Sequence, residues 1–209
     1  VDLAQKECCG RPLISKGMLR EAKEQARVNV ERLLPFARQG IPILGLEPSC
    51  LLTLRDEYPE LLGGEEAKIV ARQTFLLEEF LACEREAGRL SFDVNENGFK
   101  ALHHGHCHQK ALVGTAPTLS VLRSAGFNAE DLDSGCCGMA GAFGFEKEHY
   151  DLSMSIGNRR LGPAVRSAGD DTVIVASGIS CRQQIEHLTG RKPKHPAEVL
   201  WQNCRKSAE

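Results

Sequence analysis

The vicinal pair Cys8-Cys9-Gly10 returns as Cys136-Cys137-Gly138, and each pair opens the same succession of segments. A helical stretch follows, residues 18–39 in the first copy and 146–168 in the second. A short apolar run of β character comes next, 41–46 and 172–176, leading to Ser49-Cys50 and Ser180-Cys181. A pair, a glycine and a third cysteine recurring in matched contexts mark an internal repeat. A chain of this kind has to bring the third cysteine back to its pair through one helix and one strand.

The second copy is longer at its front. Residues 99–103 read as a strand leading into the run HGHCH, His104 to His108. Residues 111–125 read as a helix with Leu112, Leu119 and Leu122 inward, closed by Gly126. Residues 127–132 read as a strand leading to Cys136. Strand, helix, strand, helix, strand is an order that favours a parallel sheet with right-handed crossovers. In such a sheet the loops after the strands share one edge, where these folds build their sites. Cys107, Cys136, Cys137 and Cys181 each follow a predicted strand and are expected to converge there. The first copy lacks the leading strand and helix; residues 1–7 align with 129–135, and the missing part is expected upstream. Between the copies, residues 65–84 show the 3.6-residue period of an amphipathic helix through Ile69, Val70, Gln73, Leu76, Leu77, Phe80 and Leu81. Residues 89–98 are polar and turn-rich and are the expected linker. The expected fold is α/β, two pseudo-repeated Rossmann-like units with parallel sheets. The first, truncated at its N-terminus, covers 1–90 and the second 99–209.

Nine cysteines in 209 residues fall short of the roughly 8–10% that marks a disulfide scaffold. Their number is odd, and the chain opens without a basic stretch followed by an apolar one, so reduced thiols are expected. Basic and acidic residues nearly balance, 26 against 28, which argues against a dedicated nucleic-acid binder. No apolar run approaches the roughly 18 residues that span a bilayer. Soft thiolates select zinc, Cu(I) or an iron–sulfur cluster. Adjacent cysteines fit poorly at two vertices of one small tetrahedron, and zinc sites prefer a gap of about two to four residues. A larger iron–sulfur body accepts neighbouring thiolates at different irons. The glycine after each pair permits a tight turn whose amides face a sulfur. His104, His106 and His108 alternate around Cys107 and are candidates either for metal ligation or for hydrogen bonding within the loop, with His106 and His108 foremost because they flank the cysteine. Cys83 and Cys204 match no motif and read as small hydrophobes. The glycines of 138–144 are too irregular for a dinucleotide fingerprint.

The segments CCGRPLIS, GLEPSCLLTLRDE, HGHCHQKAL, SCRQQI and GCCGMAGAFGFEKEHYDLSM together resemble the cysteine-rich CCG domain family. The likeness is nearest to the C-terminal region of FAD-linked oxidases similar to D-2-hydroxyglutarate and D-lactate dehydrogenases. The wider family includes the iron–sulfur subunits of glycolate oxidase and anaerobic glycerol-3-phosphate dehydrogenase, and a component of heterodisulfide reductase. The resemblance implies an iron–sulfur electron-transfer domain of an FAD-linked 2-hydroxyacid oxidoreductase, with the FAD in a partner domain or subunit. It also implies a ferredoxin-like domain nearby and an acceptor that is a quinone, an electron-transfer protein or a disulfide. A cytoplasmic protein, free or peripheral at the inner membrane face, fits that role. The implied cofactor is a [4Fe–4S] cluster, with Cys107, Cys136, Cys137 and Cys181 as its ligands.

The fullest family motif ends in Cys-x-x-Cys, but Gln184 stands where the last cysteine would be. The first copy offers only Cys8, Cys9 and Cys50, which are either ligands or ordinary thiols. No acid–base pair or nucleophilic triad is evident, so turnover by the chain alone is not expected. Two alternatives stay open, a zinc-binding structural or docking module and a thiol–disulfide reductase domain of the heterodisulfide type.

Overall fold

The apolar run of the first copy pairs with a strand that its sequence hides inside a helical pattern. The computed structural model describes residues 1–92 and 98–203. The chain divides into two compact units, Val1–Leu76 and the part from Leu77 onward. In the first, helices α1 (Arg11–Ser15) and α2 (Leu19–Arg38) precede strand β1 (Ile43–Gly45). Helices α3 (Pro48–Arg55), α4 (Glu57–Leu62) and α5 (Gly64–Arg72) then lead to strand β2 (Thr74–Leu76). β1 and β2 are parallel, with Ile43 opposite Thr74 and Gly45 opposite Leu76. Ala26, Val30, Leu33, Leu34 and Ala37 recur at helical spacing on α2 and pack on Leu54, Tyr58, Ala67 and Val70.

The helix expected over 65–84 is not continuous. It is α5, then β2, then α6 (Leu77–Glu86). Thr74, Phe75 and Leu76 are strand formers, and hydrophobic period alone does not separate a short buried strand from a helical turn. Thr74 Oγ1 donates to the Val70 carbonyl at 2.8 Å, which satisfies an acceptor where the helix stops. The unit boundary therefore falls between Leu76 and Leu77, because α6 buries Ala82 in the core of the second unit. Of the expected linker, residues 93–97 lie outside the described residues.

The second unit continues with strand β3 (Lys100–His104), helices α7 (Cys107–Leu112) and α8 (Ala116–Ser124), and strand β4 (Asn128–Asp131). Two 3₁₀ turns, Phe143–Phe145 and Lys147–His149, precede helices α9 (Tyr150–Arg159) and α10 (Leu161–Ser167). Strand β5 (Val173–Ala176) and helices α11 (Ile179–Thr189) and α12 (Pro196–Asn203) complete it. The strands are parallel in the order β4-β3-β5, so the chain reverses its winding direction at β3. Lys194 extends the pairing on the far side of β5 through a parallel bridge to Val175.

Both long helices expected in this unit are broken for local reasons. Gly114 takes a left-handed φ of 84° between α7 and α8. Pro163 has no N–H to bond the carbonyl four residues back, and the chain breaks at Arg160 between α9 and α10.

Side chains alternate across the central strand. Ala101 joins Val121, Leu122 and Ala125 of α8 and Val199 and Leu200 of α12 on one face. Leu102 packs on the other face with Leu161, Val165, Cys181 and Ile185. The mixed helix and strand content and parallel sheets are those of an α/β chain.

Leu122 is fully buried on α8 while Leu152 of α9 is 54% exposed. Leu122→Ala is expected to cost about 2–5 kcal/mol in a urea titration, and Leu152→Ala less than about 0.5 kcal/mol. Equal losses would contradict this placement of the core.

Candidate metal centre

Three loops meet at the carboxyl edge of the β4-β3-β5 sheet. The first leaves β3 after His104. Gly105 is required there, since a Cβ would lie 2.5 Å from Thr115 Cγ2. His106 caps α7, its Nδ1 accepting from the His108 N–H at 3.2 Å, while Gln109 Oε1 accepts from the His106 N–H at 3.3 Å. That capping box fixes Cys107 as the first residue of the helix.

The second loop leaves β4 and carries Ser134, Gly135 and the Cys136-Cys137-Gly138 turn. Gly138 has φ +99° and donates its N–H to Cys136 Sγ at 3.3 Å. A Cβ on Gly138 would lie 2.3 Å from the Ser153 carbonyl oxygen, and one on Gly157 2.9 Å from that of Cys137. The turn therefore lies directly on α9. Lys110 Nζ donates to the Gly135 carbonyl at 2.7 Å, tying this loop to α7.

The third loop leaves β5 as Ser177-Gly178, and Cys181 is the third residue of α11. Ser177 Oγ donates to the buried Glu78 carboxylate at 2.7 Å. Arg182 Nη1 donates to the Ala176 and Ser177 carbonyls at 3.0 and 2.6 Å. A Cβ on Gly178 would lie 2.5 Å from His106 Cδ2 and 3.3 Å from Cys181 Sγ. The β3 and β5 loops thus touch at the point where strand order reverses, the usual place for a site in such a sheet.

The four thiols form one interacting series, Cys107, Cys136, Cys137, Cys181. Cys136 is held far below the usual thiol range by hydrogen bonds from Cys107 and Cys137, with a further one from the Gly138 amide. Cys107 is pushed up by Cys136 and by burial. Cys137 is pushed up by Cys136 and Cys181. Cys181 is drawn down by Cys137, with His104 adding to the effect. Along the series, negative charge is favoured on Cys136 and Cys181 over Cys107 and Cys137.

A ring nitrogen of His104 and the sulfurs of Cys137 and Cys181 lie within 4.8 Å of one another, and all three residues are buried. Neither His106 nor His108 joins that group among the described residues. His104 sits at the end of β3 on the face of α10 and α11; strand alternation puts it there, a signal the spelling HGHCH hides. His103 points to the opposite face, where burial keeps its imidazole neutral with a pKa of about 4.

The first unit gathers Cys8, Cys9 and Cys50. Cys50 is the third residue of α3, the place Cys181 holds in α11. A hydrogen bond from Cys9 draws Cys50 down to about 7, and Cys9 is correspondingly raised. The pair's backbone is latched to the core: Asn29 Nδ2 donates to the Cys8 carbonyl at 3.0 Å and Tyr58 Oη to that of Cys9 at 3.0 Å. Cys83 is exposed on α6 and not the buried small residue expected. Cys204 lies outside the described residues.

A family model for a cysteine-rich domain, CCG, matches residues 1–55 and 103–186. The chain is 34% identical over 202 residues to one of the subunits of anaerobic glycerol-3-phosphate dehydrogenase from Escherichia coli K12, covering 96% of this chain and 50% of that one. It is 30% identical over 209 residues to D-2-hydroxyglutarate dehydrogenase of Pseudomonas putida, covering 99% of this chain and 20% of that protein. It is 25% identical over 207 residues to lactate utilization protein A of Bacillus licheniformis, covering 92% of this chain and 82% of that one. The chain thus spans half of the first relative and a fifth of the second.

Gly135 and Gly138 both have positive φ, but a Cβ meets nothing within 4 Å at Gly135. Gly135→Ala is expected to cost about 1 kcal/mol from backbone conformation alone. Gly138→Ala adds the collision with Ser153 and is expected to cost on the order of 3 kcal/mol or more. Denaturant titration of the two variants checks the difference, and equal costs would show that the turn does not press on α9.

Proposed function

The chain belongs to the cysteine-rich (CCG) domain family, and from that premise we propose that it is an iron–sulfur electron-transfer module of an FAD-linked 2-hydroxyacid oxidoreductase. The observation that carries this reading is the convergence of Cys107, Cys136, Cys137 and Cys181 at one sheet edge. The relatives' names support the oxidoreductase context, since two are dehydrogenases of hydroxylated small molecules and one is a lactate utilization protein.

The donor set fits an iron–sulfur cluster. It is made of soft thiols, and two of them are adjacent. Two already have the character of thiolates, the form that binds metal. A ring nitrogen of the buried His104 lies within 4.8 Å of the Cys137 and Cys181 sulfurs. An iron–sulfur cluster held there would accept and pass on single electrons. The chain's own residues set its surroundings. The Gly138 amide directed at Cys136 Sγ favours negative charge on sulfur, and so does the start of α11 beside Cys181. Burial of Cys137 and Cys181 keeps water from that side.

Oxidation of the hydroxyacid belongs, in this reading, to the flavin of a partner domain or subunit. A ferredoxin-like domain and a quinone, electron-transfer protein or disulfide acceptor complete the path. Among the described residues no helix is long and apolar enough to cross a membrane, and a cytoplasmic place, free or at the inner membrane face, suits that partnership. We further propose that the sequence segments 1–90 and 99–209 carry two copies of one repeat, the first incomplete. The shared position of Cys50 and Cys181 on the helix after a strand supports it.

Anaerobic reconstitution is the test. The chain is expected to turn brown and take up iron and acid-labile sulfide. Serine at Cys107, Cys136, Cys137 or Cys181 should each lower that uptake severalfold, and Cys83→Ser should not. A colourless protein that takes up zinc but neither iron nor sulfide would establish the structural-zinc alternative. Full iron and sulfide in all four variants would remove the proposed site.

A further inference from the structure

We infer that His104 is a nitrogen ligand of the centre, a fifth donor beside the four cysteines. This rests on the cluster reading above. The four thiols do not exhaust the donors at the sheet edge. His104 brings a ring nitrogen within 4.8 Å of both Cys137 and Cys181 sulfurs, close enough for one metal ion to engage all three. Its ring is completely buried. Ser134 Oγ holds Nδ1 at 2.5 Å, while Nε2 is buried with no hydrogen-bond partner. An unpartnered buried nitrogen is costly. A ring fixed through one nitrogen with the other left open has the arrangement of a metal-ligating histidine and its outer-shell partner.

The supports are rigid and come from the site's own elements. His104 ends the central strand, and Ser134 belongs to the loop that carries Cys136 and Cys137. Ser134 is itself buried. The other side chains that compete for this role are committed elsewhere. His106 Nδ1 accepts from the His108 amide as the cap of α7. Gln184 turns toward α9, its Nε2 donating to Ser153 Oγ at 3.1 Å and to the Ser153 carbonyl at 3.3 Å. His103 is on the opposite face of the strand. The fifth donor is thus an imidazole from β3, and the α11 position three residues after Cys181 supplies none.

The substitution has a chemical consequence. A neutral imidazole in place of a thiolate removes negative charge from the centre, and histidine in place of cysteine raises a cluster's reduction potential. His104 would make this centre easier to reduce than one held by five thiolates.

The experiment uses the chain reconstituted anaerobically with iron and sulfide, with natural-abundance and with ¹⁵N-labelled histidine. Pulsed EPR of the paramagnetic state reads nitrogen coupling, and a redox titration reads the midpoint potential. A histidine-nitrogen coupling is expected in the unmutated chain, lost in His104→Asn and kept in His106→Ala and His108→Ala. His104→Cys should keep its iron and show a lower midpoint potential. If His104→Asn does not fold, a coupling that survives in both His106→Ala and His108→Ala still identifies His104. A chain that takes up iron and sulfide but shows no histidine-nitrogen coupling overturns this assignment alone. So does a coupling that persists in His104→Asn, or an unshifted potential in His104→Cys. A chain that takes up neither iron nor sulfide overturns the cluster reading and this assignment with it.

Discussion

Parallel pairing of β3 with β4 on one side and β5 on the other sends three successive loops to a single edge of the sheet. Everything at the candidate site depends on that register. His103 opposite Asp131 and His104 opposite Ala176 bring the strand ends level, so the loops begin at one height. The glycines then remove the bulk that would hold the loops apart. Gly178 lets the β5 loop close on His106 and Cys181, and Gly138 lets the vicinal pair settle on the Ser153 carbonyl. A one-residue slip would turn every side chain of a strand to the other face and carry His104 away from the thiols.

Such a gathering has an electrostatic cost in a protein without metal. Four thiols interact there, and Cys136 and Cys181 are the two drawn toward the charged form in a largely buried setting. Buried charge is tolerated only when it is paired or hydrogen-bonded. The Gly138 amide meets part of that need at Cys136, and Cys137 meets part of it at Cys181. A cation bound there, as proposed, would meet the remainder and would couple metal uptake to the stability of the three loops. The Ser177–Glu78 hydrogen bond and the two bonds from Arg182 hold the β5 loop against this internal repulsion.

Much of this arrangement was legible before the structure. The segments 41–46, 99–103, 127–132 and 172–176 became β1, β3, β4 and β5 with ends shifted by no more than two residues; 41–46 and 172–176 are short and apolar, whereas β4 is the polar stretch Asn128–Asp131, placed by the order of elements around it. The helices were less legible. Their period continues across Gly114, Arg160 and Thr74, yet backbone chemistry interrupts it at each. His104 is harder to single out from its two neighbours for a different reason. Proximity in sequence to Cys107 favours His106 and His108, but the chain turns at Gly105 into a helix. The residue that shares a face with Cys181 is the last of the strand, and only its sheet partners reveal that.

The two units differ in how many strand ends feed their edge. In the first, β1 leads to Cys50 through α3, and the Cys8-Cys9 pair is held by Asn29 and Tyr58. Its sheet has two strands, and among the described residues nothing corresponds to β3 with its trailing His104 and Cys107. The donors there are accordingly three thiols without an imidazole. In the second unit His104 ends the central strand and Cys107 opens the helix that follows it, three residues on. The imidazole and the lone cysteine therefore come with the third strand, whereas the vicinal pair and the helix-borne cysteine are common to both units.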